Sequence, residues 1–168
     1  MVCGDTVGCL SCSNTPADPN KMRGPFMIII NQQQIQEIVR HSRDCLPNEG
    51  CGLLGGIWAG ECKMVKKVYL LRNIDESPEH FSMDAREQFA AVADMRKNGW
   101  NLLGNFHSHP ATPSRPSLED VRLAFDPSLS YLILSLLQPD CPVLNSFLIC
   151  SNDVKKEKMI HSEWGPYG

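Results

Sequence analysis

Apolar and polar residues follow one another along the chain with two different periods, which predict strands interleaved with helices. Short apolar or alternating runs predict seven strands, at residues 27–30, 51–58, 62–71, 100–107, 130–136, 143–150 and 155–164. Apolar residues at helical spacing follow good N-cap residues at three places and predict helices beginning after Asn31, Asp84 and Ser117. The last of these helices is expected to run from Leu118 to Phe125 and to stop before a proline. This interleaving indicates an α/β fold.

Composition narrows the class of protein. A chain of 168 residues is long enough for one domain with a proper core, and 42% hydrophobic with 21% charged residues is ordinary for a globular protein. A net charge of −3 lacks the basic excess of a nucleic-acid-binding surface. No apolar run approaches the roughly 20 residues of a membrane span, and no signal peptide is visible. We therefore expect a cytoplasmic protein without a nucleic-acid or membrane partner.

The first 26 residues differ from the rest in composition. They are rich in Gly, Ser, Asn, Asp and Pro, which predicts a flexible N-terminal leader before a folded domain over residues 27–164, with a frayed tail at 165–168. Cys9-X-X-Cys12 lies in this leader. Such a pair begins some zinc and redox sites, but these sites need a second pair or a βαβ context, and neither is visible. The role of Cys3, Cys9 and Cys12 stays open.

The chemistry of the chain is concentrated after the fourth predicted strand. His107 and His109 alternate along this strand and therefore face the same side. Asp120 follows eleven positions after His109, inside the start of a helix. Two imidazoles and one carboxylate suit zinc, and three protein ligands leave a fourth position open for water, as in hydrolytic sites. A lone His-X-His is often incidental, and Ser117 to Asp120 is also a good helix start, with Ser117 as the N-cap. The helix start and the metal site are compatible.

The whole string resembles a known family. His107-Ser108-His109, seven further residues and then Ser117-X-X-Asp120 are similar to the signature of the JAMM (MPN+) zinc metallopeptidases, and residues 47–56 resemble the segment that carries the upstream glutamate of that family. The resemblance runs from about residue 27 to about residue 164. It implies one MPN domain, a curved mixed sheet flanked by helices, cytidine-deaminase-like. It also implies one catalytic Zn²⁺ on His107, His109 and Asp120, with Glu49 as general base and Ser117 as oxyanion stabiliser.

The resemblance also implies a substrate. It is closest to the stand-alone prokaryotic members, which implies hydrolysis of a peptide or isopeptide bond after the C-terminal Gly-Gly of a ubiquitin-like or sulfur-carrier (β-grasp) protein. By the same resemblance, residues 73–83 are a substrate-facing segment, and the alternative is a plain connection. Of the three histidines outside the motif, His80, which lies in this segment, is the candidate substrate contact. Two alternative functions remain open. One is a RadC-like, DNA-repair-associated protein, although the usual DNA-binding module and basic charge are missing. The other is an inactive MPN scaffold, although all five site residues are present.

Overall fold

The computed structural model describes residues 27–162, which form three helices and seven strands. In chain order they are β1 (Met27–Asn31), α1 (Gln32–Asp44), β2 (Cys51–Ala59), β3 (Cys62–Leu71), α2 (Ala85–Lys97), β4 (Asn101–His109), α3 (Leu118–Leu123), β5 (Ser130–Ser135), β6 (Val143–Cys150) and β7 (Asp153–Ser162). The predicted leader and frayed tail, with the leader cysteines, lie outside the described residues. No helix of the described part is both long and apolar enough to cross a membrane.

The strands form one mixed sheet whose curvature closes it into a barrel, in the order β1-β3-β2-β4-β5-β6-β7. β1 lies parallel to both β3 and β7, and β4 lies parallel to β5, whereas the other pairs are antiparallel. The predicted curved mixed sheet flanked by helices is confirmed. Because β4 and β5 are parallel, the chain between them must cross back along the sheet. That crossover carries α3 past the C-terminal end of β4.

Cap chemistry sets the helix boundaries. The Asn31 side chain accepts from the Gln34 N–H at 2.8 Å, and the Gln34 side chain accepts from the Asn31 N–H at 3.0 Å, which makes a capping box at the start of α1. The predicted starts of all three helices are confirmed. The predicted end of α3 is two residues too late, because Ala124 adopts an extended backbone and stops the helix at Leu123. β7 begins two residues before the predicted start, since Ser151 takes a φ of 56° and makes the turn tight.

β2 lies between β3 and β4 and passes very close to both. A Cβ added to Gly52 would lie 2.1 Å from the carbonyl oxygen of Tyr69 and 2.3 Å from the Phe106 ring. No side chain fits at that distance, so β2 needs glycine there. The close packing brings the start of β2, and the residues just before it, against the end of β4.

A buried polar group lies inside the otherwise apolar barrel. Lys63 of β3 is fully buried, and its Nζ donates to Ser130 Oγ at 2.7 Å and lies 3.4 Å from Glu157 Oε1. Ser146 Oγ donates to the other oxygen of Glu157 at 2.5 Å. The main apolar core of the described part is formed by large aliphatic and aromatic residues, among them Ile28, Ile30, Leu54, Leu103, Phe106 and Leu132. The lysine and the glutamate are therefore stabilised by each other and by two serine hydroxyls.

Candidate active site

His107 and His109 end β4 and turn their rings to the same side of the sheet. Both are nearly fully buried, with 2% and 6% of their surface exposed. Their Nε2 atoms are 3.0 Å apart. Asp120 meets them from α3, with Oδ1 3.3 Å from His107 Nε2 and Oδ2 3.6 Å from His109 Nε2. The three predicted metal ligands are thus together, with one donor atom of each within 4.8 Å of the others.

The hydrogen bonds around the imidazoles leave their Nε2 atoms for a cation. His109 Nδ1 donates to the carbonyl oxygen of Pro113 at 3.2 Å, and in the neutral tautomer this leaves the lone pair on Nε2. His107 Nδ1 is buried and has no hydrogen-bond partner among residues 27–162, so that the polar contacts described for this ring are on its Nε2 side. Nitrogen lone pairs and a carboxylate converging in a buried place repel one another unless a cation lies between them. The donor set fits one Zn²⁺ with an open position.

Asp120 is held in place by the first turn of its own helix. The backbone N–H and the hydroxyl of Ser117 both donate to Asp120 Oδ2 at 2.7 Å, and Asp120 N–H donates back to Ser117 Oγ at 3.1 Å. This is a capping box in which the residue at the third helical position is the predicted metal ligand. Ser117 therefore is the helix cap, as the sequence predicted, and also orients the carboxylate.

Glu49 reaches the site through strand pairing. It lies two residues before the start of β2, and the register of β2 on β4 places Cys51 opposite His107. Glu49 is 4% exposed, and its Oε1 lies 4.0 Å from His109 Nε2. This carboxylate is next to the three converging side chains without being one of them.

Burial and neighbouring groups shift the pKa values of Glu49, Asp120 and His107 by different amounts and in different directions. Burial raises the pKa of Glu49 to about 8, with Asp120 adding to the rise and His109 opposing it. Burial also acts to raise the pKa of Asp120, but the closeness of its carboxylate to the imidazoles of His107 and His109 outweighs burial, and the pKa is lowered. The pKa of His107 is lowered, mainly by burial. An ionised Asp120 and a neutral His107 are the forms that bind metals, and a carboxyl with a pKa near neutrality suits proton transfer.

A cavity of about 350 Å³ opens beside these residues. Glu49 and Asp120 line this cavity, and residues 73–83 form one of its walls. Within this wall the Phe81 ring stacks on the His107 ring at 4.7 Å, and His80 Nδ1 lies 2.5 Å from Glu119 Oε2 on α3, across the cavity. Residues 73–83 therefore border the site and are more than a plain connection. His80 lines the cavity, and its contact with substrate stays a prediction.

Sequence reasoning missed three residues that build the site. Phe81 covers the face of His107. Ser108, between the two histidines, is fully buried and accepts from the Gly50 N–H at 2.8 Å. Asn73 donates to the Glu49 carbonyl oxygen at 3.1 Å. Only Ser108 lay within a recognised motif, and no spacing marks the other two.

The chain is similar to several known proteins in sequence and in fold. A CysO-cysteine peptidase from Mycobacterium tuberculosis is 28% identical over 132 residues, which cover 79% of this chain and 89% of that protein. A "Probable TtuB-protein conjugate cleaving protease" from Thermus thermophilus is 33% identical over 100 residues, covering 59% of this chain and 64% of that protein. A solution structure of a protein from Desulfitobacterium hafniense is 59% identical with a TM-score of 0.76, and the match covers 83% of this chain and 94% of that one.

The family assignment rests on a match over most of the chain. The family described as prokaryotic homologs of the JAB domain matches residues 31–150. These residues contain all five predicted site residues, and the two named relatives are a peptidase and a protease. The chain belongs to this prokaryotic JAB family, the JAMM/MPN family that its motif predicted, and it is a hydrolase.

Proposed function

We propose that the protein is a zinc-dependent peptidase that hydrolyses the bond after the C-terminal Gly-Gly of a ubiquitin-like or sulfur-carrier protein. One observation carries the proposal. His107, His109 and Asp120 converge within 4.8 Å, and a buried carboxylate outside that set, Glu49, lies 4.0 Å from His109. A metal-ligand set with an open position beside a free general base is the arrangement that hydrolysis requires.

The roles of the side chains follow from this arrangement. When bound, Zn²⁺ supplies Lewis acidity and makes water a stronger acid. His107, His109 and Asp120 hold the ion. Glu49 takes the proton from the attacking water and gives it to the leaving amine. A cation beside Glu49 favours its ionised form and so offsets the effect of burial on its pKa.

Ser117 is the proposed donor to the oxyanion. Its hydroxyl donates to Asp120 Oδ2, and its backbone N–H donates to the same oxygen, both at 2.7 Å. The backbone bond keeps Asp120 in place when the hydroxyl proton turns towards substrate. Ser117 can therefore donate to the developing negative charge while Asp120 stays oriented.

The names of the relatives support the substrate class. One is a peptidase for a CysO-cysteine substrate, and the other cleaves conjugates between TtuB and protein. These names favour a peptidase over a DNA-associated RadC-like protein, and the complete site favours an enzyme over an inactive scaffold. We place the enzyme in the cytoplasm, with a carrier-protein partner and with neither nucleic acid nor membrane. Peptide and isopeptide bonds are both compatible with this site.

The proposed specificity is tested with a carrier protein extended beyond Gly-Gly, analysed by intact mass. We expect a product that ends at Gly-Gly. Replacing the last glycine of the pair by alanine should slow cleavage by about 10–200-fold, the usual effect of one misplaced methyl group. Equal rates on both precursors, or cleavage at another bond, would show that the enzyme has a different substrate.

A further inference from the structure

Asn73 lies two residues beyond the end of β3, where the cavity wall of residues 73–83 begins, and only 7% of it is exposed. Its Nδ2 donates to the carbonyl oxygens of Glu49 at 3.1 Å and of His80 at 3.0 Å. Its Oδ1 accepts from the backbone N–H groups of Asp75 and Ser82, both at 3.1 Å. A primary amide has two donors and two acceptor positions, so every polar capacity of Asn73 is used.

The partners fix which way the amide points. Carbonyl oxygens only accept and backbone N–H groups only donate, so a flipped Asn73 would lose all four bonds. Its oxygen holds the turn within the wall. Its nitrogen joins the wall to the main chain of Glu49.

The main chain around Glu49 is fixed on its other sides as well. Glu49 N–H donates to the carbonyl oxygen of Ser77 at 2.9 Å, so the wall holds the residue at both its N–H and its carbonyl group. The next residue, Gly50, donates to Ser108 Oγ at 2.8 Å and accepts from the Ser108 N–H at 2.9 Å. Ser108 stands between the two histidine ligands. The glutamate is thereby joined to the cavity wall by Asn73 and to the ligand strand by Ser108.

We propose that Asn73 is a positioning residue for Glu49. None of its described hydrogen bonds is to a metal-binding side chain, and it does not line the cavity. It acts by holding the main chain of Glu49 and the cavity wall in one geometry. This inference rests on the proposed function, in which Glu49 is the base. Proton transfer needs a base placed within hydrogen-bond reach, and displacement by about 1 Å can cost 10²-fold in rate.

The variant Asn73→Asp distinguishes the role of the amide nitrogen from that of the amide oxygen. The substitution keeps the shape and the oxygen that accepts from Asp75 and Ser82, but it replaces the donating nitrogen with an oxygen facing two carbonyl groups. The first measurement is amide hydrogen exchange on the full chain. We expect the Glu49 N–H to exchange at least ~10-fold faster in Asn73→Asp, with the buried Leu132 N–H of β5 unchanged. Asn98→Asp, the same chemical change at the exposed end of α2, is the matched control and should alter neither rate.

The second measurement is a double-mutant cycle on the extended carrier precursor. Asn73→Asp should lower kcat by about 10–100-fold and leave zinc content and KM within about twofold. In a Glu49→Gln background, the same substitution should lower the residual single-turnover rate by less than about twofold, because a residue that acts through the base has nothing left to position. A purely structural role would lower the rate in both backgrounds.

Three results would overturn the proposal: unchanged Glu49 exchange, an unchanged kcat, or an equal fall in the Glu49→Gln background. If Asn73→Asp does not fold, Asn73→Ser removes the donors without adding charge, and both measurements apply to it. If the wild-type protein cleaves no precursor, the proposed function fails, while the exchange rates still decide whether Asn73 fixes Glu49.

Discussion

Glu49→Gln is expected to lower kcat by about 10²–10⁴-fold, or roughly 3–5 kcal/mol of barrier, while the fold and the bound zinc are kept. Glutamine has nearly the same size and shape, so packing around the buried position should change little. Glu49 is not among the three converging ligand side chains, so zinc should stay. What the substitution removes is a group that accepts a proton near neutral pH. The measurement is kcat on the extended carrier precursor, with zinc determined on the same sample.

Two further variants serve as comparisons for Glu49→Gln. Ser117→Ala should be milder, at about 10²–10³-fold, because it removes one oxyanion donor and leaves the backbone N–H bond to Asp120. Glu37→Gln, at a half-buried position of α1 whose carboxylate accepts from Gln33, makes the same chemical change away from the cavity and should keep the wild-type rate. A near wild-type rate in Glu49→Gln would mean that another carboxylate, such as Glu119 in the same cavity, is the base. Loss of zinc would mean that Glu49 is a ligand.

Lys63→Met is expected to lower the free energy of unfolding by about 3–5 kcal/mol, the usual cost of removing one partner of a buried ion pair. Methionine fills most of the volume, but Glu157 would keep a buried charge with only Ser146 among the partners described above. For a chain of this size the expected fall in Tm is about 6–20 °C. Urea unfolding and a thermal melt on the same sample give both quantities.

The paired substitution shows where the cost arises. Lys63→Met combined with Glu157→Leu removes both charges, and we expect it to recover most of the lost stability, since apolar replacements of buried pairs are often neutral. Lys67→Met is the exposed control on the same strand, because its partner Asp94 lies at the surface and such pairs contribute about 0–1 kcal/mol. A cost below about 1 kcal/mol for Lys63→Met alone would show that the interior pair does not stabilise the barrel.

Much of the fold follows from local chemistry that the sequence displays. The caps at Asn31, Asp84 and Ser117 begin the helices where propensity and hydrogen bonding require, and the apolar runs become strands. The period of two along β4 is enough to place His107 and His109 on one face. Each of these features depends on residues that are close in sequence, so each can be predicted from the sequence pattern.

The remaining features depend on contacts between distant residues. The pairing of Cys51 with His107 brings Glu49 to the ligands from 58 positions away, and only the family resemblance predicted it. Lys63 and Lys67 lie on the same strand four residues apart, yet one is fully buried and the other exposed. The pairing of β2 with β3 shifts register between Gly55 and Gly56, so that Lys63 pairs with Glu157 in the interior and Lys67 pairs with Asp94 of α2. The hydrogen bond from Asn73 to the Glu49 carbonyl oxygen likewise joins residues 24 positions apart, and it forms only when the wall of residues 73–83 has folded against Glu49.

The central claim is that hydrolysis depends on one zinc ion held by His107, His109 and Asp120. The most direct test strips the protein with a chelator, restores zinc in measured steps, and follows the mass of an extended carrier precursor, with Asp120→Ala treated in parallel. We predict no cleavage by the stripped protein, full cleavage to a Gly-Gly end at about one zinc per chain, and little zinc retained by Asp120→Ala, because that variant loses one of three protein ligands. Cleavage by the zinc-free protein, or full zinc content in Asp120→Ala, would contradict the claim.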